Sequence, residues 1–153
     1  MRFWTWALEA YARPGVAEAC LDLQDRLDQC IPYLLWAAWA ASEGRVLDDE
    51  TLDAGADLAD GWQSAAVAPL RAARRAMKAP VAGIEDTARE ALRAEAMVLE
   101  LKAERLVMET LEALTPEPSA AALSLPGALL AAGDLWRSAA PAEALQRLAQ
   151  TLC

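Results

Sequence analysis

From Ile84 to Thr115 the chain contains neither glycine nor proline, and inside that span apolar residues recur at helical spacing from about Glu85 to Leu114. Leu92, Ala96, Leu99, Ala103, Leu106 and Ala113 fall on one face, and Val98, Leu101, Val107, Met108, Leu111 and Leu114 widen it. Glu85–Arg89 and Arg105–Glu109 stand four apart, where opposite charges support a helix. So broad an apolar surface on so long a helix is expected at the centre of the fold or at a contact between two copies.

The rest of the chain reads as helix too. Alanine makes up about a quarter of the 153 residues, and it loses no side-chain entropy in a helix. β-branched residues are scarce, and no stretch alternates apolar and polar for long. A first helix is expected from Phe3 to Ala12, broken by Arg13-Pro14-Gly15, with Pro14 in the first turn of a second helix that runs to about Asp28. Val16, Cys20, Leu23 and Leu27 share one face of the second. Pro32 opens a third, Tyr33 to Ser42, which Gly44 stops. The carboxylates of Asp48, Asp49 and Glu50 suit a helix start. The apolar series Leu52, Ala56, Ala59, Ala66, Leu70, Ala73, Met77 keeps its phase across Pro69, so one helix kinked at Pro69 is expected from Asp49 to Lys78. Residues 115–119, with Pro116 and Pro118, read as a linker before two short helices, about Leu125–Ser138 and Pro141–Leu152. The expectation is a single all-α domain over residues 1–153, of six or seven helices with a long central one.

Composition closes several routes to function. There is no histidine, which removes Ser-His and Cys-His catalysis, imidazole metal ligands and the di-iron Glu-x-x-His pairs. Three cysteines at irregular spacing, Cys20, Cys30 and Cys153, make no disulfide framework and are expected as reduced thiols. Cys20 belongs to an apolar face, whereas Cys30, in the turn before Pro32, is expected to be the more exposed. The six tryptophans read as core, with Trp4 or Trp6 as an alternative anchor for a partner. The N-terminus has no signal-peptide pattern, and the apolar run Ile31–Ala41 is too short to span a bilayer. No Gly-rich phosphate loop, zinc motif or nucleophile elbow is present. No cofactor and no catalytic residue is assigned.

Two charge patterns remain. Arg71, Arg74, Arg75 and Lys78 share a helix face and could hold a phosphate or an acidic partner segment. The bland account is a solvated face, with acid (Asp53, Asp57, Asp60) at the N-terminal end and base at the C-terminal end, as the helix dipole favours. Internal pairing would draw on Glu18, Asp22 or Asp25. Asp22/Asp25 and Asp57/Asp60 are carboxylates three apart that could hold Mg²⁺ across a bundle, as in helical nucleotide pyrophosphohydrolases, whose fuller glutamate signature is missing.

The segments Tyr11-Ala12-Arg13-Pro14-Gly15-Val16, Cys20-Leu21-Asp22-Leu23-Gln24-Asp25 and Leu34-Leu35-Trp36-Ala37-Ala38-Trp39, followed by Trp62, Pro69-Leu70-Arg71 and Arg74-Arg75, resemble a family of small bacterial proteins classed as a domain of unknown function. The resemblance spans roughly residues 3 to 78. It implies an all-helical, cytoplasmic bacterial protein and no particular activity. The family pattern carries a glycine after the position of Leu27 and later an asparagine; this chain has Asp28 and Pro32 there.

The functional expectation is a non-enzymatic cytoplasmic adaptor or regulator that docks an acidic segment of a protein partner on the arginine stripe. The alternatives are a Mg²⁺-dependent phosphohydrolase and a structural homodimer on the wide face of the 85–114 helix. Duplex nucleic acid is not expected as a partner, because the formal net charge is −9. A membrane is not expected either.

Overall fold

The computed structural model describes residues 1–119 and 123–153, and the described residues form seven helices. These are α1 (Phe3–Tyr11), α2 (Val16–Leu27), α3 (Ile31–Ser42), α4 (residues 49–76), α5 (Asp86–Leu114), α6 (Leu125–Leu135) and α7 (Ala142–Leu152). No helix among them is long and apolar enough to cross a membrane.

The core gathers around α3, a twelve-residue helix without a charged side chain. Tyr33, Leu34, Leu35, Trp36 and Ala38 are fully enclosed. Its polar atoms are satisfied as burial requires: the Tyr33 hydroxyl donates to the Leu52 carbonyl at 3.1 Å, and Trp36 Nε1 to the Thr115 hydroxyl at 2.7 Å. Helices α6 and α7 close the core from the other side, burying Leu129, Leu145 and Leu148.

Helix α4 runs unbroken from residue 49 to 76, but its irregularity precedes Pro69. Between the α-helical segments Asp49–Trp62 and Ala68–Ala76 lies a π-helical turn, Gln63–Val67, in which the Ala68 N–H donates to the Gln63 carbonyl. Proline lacks an N–H, and its ring crowds the carbonyl four residues back. The wider turn absorbs that conflict. Asp48 caps this helix by accepting from the Thr51 N–H at 2.9 Å.

Several local expectations are corrected. Pro14 lies in the turn, and Gly15, at φ 84°, caps α2 in the left-handed region. Glu85 does not pair with Arg89 as expected, because its carboxylate caps α5 by accepting from the N–H groups of Thr87 and Ala88. Arg89 turns instead to Asp86 and Glu90. Helix α4 ends at Ala76, short of Lys78. Cys30 is buried, not exposed. The chain after α6 covers the α2–α3 turn: Trp136 Nε1 donates to the Asp28 carbonyl and the Gln29 amide to the Ser138 carbonyl. Asp28 itself sits at φ 51°, the left-handed conformation that glycine adopts without penalty.

Candidate functional groove

Helices α1 and α2, the start of α3, the end of α4 and the middle of α5 enclose an open groove of about 380 Å³. Part of its lining is apolar. Trp4, Leu8 and Tyr11 come from α1, Leu21 from α2, and Leu101 and Met108 from α5. Leu8, Tyr11, Leu21 and Leu101 keep about half of their surface in water, although larger apolar side chains with a place in the core would be covered. Trp4 is held from one side by the Arg105 guanidinium, 5.5 Å from the ring centroid.

Charged side chains line the groove as well. Arg71 and Arg74 stand three apart on α4, so both side chains leave the same face, and Glu100 and Glu104 stand four apart on α5. Arg71 Nε donates to Glu100 Oε1 and its Nη2 to Glu104 Oε1, both at 2.8 Å. Arg74 Nε donates to Glu100 Oε2 at 2.5 Å. Burial works against ionisation of Glu100, but the hydrogen bonds from Arg74 and Arg71 outweigh it and hold the carboxyl below its ordinary range. Glu104 goes the other way: burial, with repulsion from Glu100, raises it despite Arg71. Arg75 reaches Asp25 of α2 at 3.0 Å, with both partners about half-exposed. Lys78 lies beyond the end of α4, exposed, and does not line the groove.

The arginine stripe is thus divided. Arg71 and Arg74 are committed internally, and only Arg75 and Lys78 present charge outward. Of the internal partners expected from the sequence, Asp25 is used. Glu100 and Glu104 were missed, and their signal was two carboxylates four apart breaking into the apolar surface of the long helix. The acidic pairs separate: Asp22 pairs with Arg26 at 2.7 Å, Asp25 with Arg75, and Asp60 with Arg137, while Asp57 is exposed. Among the described residues no three carboxylate or thiol side chains gather as a metal-holding group.

Residues 2–111 match the family described as protein of unknown function (DUF2390). The chain belongs to this family. All of the groove-lining residues of this DUF2390 member fall inside the matched segment, whereas α6 and α7 lie outside it. Comparison with curated proteins and with solved structures gives no match.

Burial pushes the Cys20 thiol up to about 11, and it raises the Tyr11 hydroxyl beside it as well. Burial pushes Cys30 up to about 12. The reactive species of a cysteine is the thiolate, which these surroundings suppress.

Proposed function

We propose that this DUF2390 member is a non-catalytic protein-binding module whose groove receives an amphipathic, acidic segment of a partner. The observation that carries the reading is the mixed lining: half-exposed Leu8, Tyr11, Leu21 and Leu101 share one groove with Arg71, Arg74 and Arg75. Apolar side chains of the segment cover the leucines, and its carboxylates take Arg75. The Arg75–Asp25 pair is open to water on both sides, so exchanging Asp25 for a partner's carboxylate costs little. Arg71 and Arg74 keep their glutamates and hold α4 against α5. The volume is at the small end of the roughly 300–1,000 Å³ typical of ligand pockets, which suits a few side chains. The suppressed thiols support a role by contact rather than by chemistry.

Selection of a random peptide display library on the full chain tests the reading. The expected winners combine bulky apolar residues with Asp or Glu, and a Leu8→Glu, Leu101→Glu double variant retains none of them. Winners without acidic residues, or binding untouched by the double variant, would refute it.

A further inference from the structure

Leu92, Leu99 and Leu106 of α5 are 55%, 51% and 50% exposed. Seven residues apart, they form one stripe, about 21 Å long at 1.5 Å per residue. At about 100° per residue, the groove residues Leu101, Glu104 and Met108 lie nearly half a turn around the helix from Leu99, so stripe and groove face different directions. Glu95 and Lys102 run beside the stripe on one flank, both exposed, and neither forms an ion pair among the described residues. At one end of the stripe, Leu106 borders a hollow of about 240 Å³ that Leu58, Trp62, Val107 and Thr110 complete.

We infer that this stripe is a self-association surface, on which a second copy of the chain lies antiparallel about a two-fold axis at Leu99. Charge selects the orientation. A parallel two-fold puts the Glu95–Lys102 flanks of the two copies on opposite sides of the contact, where neither charge meets its counterpart. Antiparallel pairing centred on Leu99 brings Glu95 of each copy beside Lys102 of the other, so both contacts become attractive. The same register carries Leu92 of one copy to Leu106 of the other, over the hollow. A two-fold contact uses the same patch twice, as this stripe requires. Leucines seven residues apart supply one seam position per heptad to a second helix, and the charges beside them set its direction.

Sedimentation equilibrium of the full chain over a concentration series tests this, with circular dichroism on every variant to confirm the fold. The wild type is expected to dimerise. Glu95→Lys and Lys102→Glu, at exposed positions, each weaken the dimer by about tenfold, and the two together restore it. A wild type that stays monomeric at millimolar concentration overturns the inference. So does a dimer indifferent to both reversals, whose contact lies elsewhere. The monomeric variants retain the groove, so peptide binding by them separates failure here from failure of the groove reading.

Discussion

Glu100 on α5 is more enclosed than either arginine that holds it: its side chain is 9% exposed, against 11% for Arg71 and 21% for Arg74, and Arg74 Nε approaches to 2.5 Å. This carboxylate ties the end of α4 to the middle of α5 and so fixes the charged part of the groove lining.

Glu100→Gln preserves the shape and removes the charge, leaving two partly buried guanidinium groups undercompensated. Breaking a buried pair by removing one partner typically costs about 3–5 kcal/mol. Because Arg71 retains Glu104, a loss nearer 3 kcal/mol is expected in urea unfolding. Reversal of Arg75, whose pair is exposed, should change stability by less than about 1 kcal/mol.

The two glutamates give stability opposite pH dependences. Glu100 titrates below its unfolded value, so its contribution is present above that value and lost as pH falls through the lower, folded one. Glu104 titrates above its unfolded value, so it penalises folding at neutral pH, and the penalty is relieved as pH falls through the raised value. Unfolding measured from neutral pH downward should therefore first gain stability and then lose it. Glu104→Gln should abolish the gain and keep the acid loss.

How far the sequence reading reached depended on whether an element announced itself locally. The 85–114 helix, the continuity of α4 across Pro69 and the Asp48 cap were legible because periodicity and capping are local signals. The pairing of Arg71 and Arg74 with Glu100 and Glu104 was not, because partners 26 to 33 residues apart meet only once two helices fold back on each other. Cys30 was misplaced for the same reason: its turn is bonded by residues 136 and 138, which reach Asp28 and Gln29 from over a hundred positions along the chain.

That burial has a direct readout. Cys153 is exposed, whereas Cys20 and Cys30 are buried with raised thiol pKa values. A thiol reagent added to native protein should label one cysteine quickly, and the other two only on unfolding. Fast labelling of two would place Cys20 or Cys30 at the surface.

Gly55 tests the packing of α4 on α3. A Cβ there would overlap the six-membered ring of Trp36, which is fully buried. Gly55→Ala removes backbone entropy from the unfolded chain, but the overlap dominates, and a net loss of about 1–3 kcal/mol is expected. Gly61→Ala meets no neighbour and should stabilise by about 0.5–1 kcal/mol.

The most direct test of the groove as a binding site is a nuclear magnetic resonance titration of the full, isotope-labelled chain with a peptide combining bulky apolar and acidic residues. The expected result is saturable shifts of the Trp4 indole and of the Leu8, Tyr11, Leu21 and Leu101 backbone signals, an affinity that falls with added salt, and no response in the Leu8→Glu, Leu101→Glu variant. Shifts confined to another surface, or an unchanged response in that variant, would contradict the account.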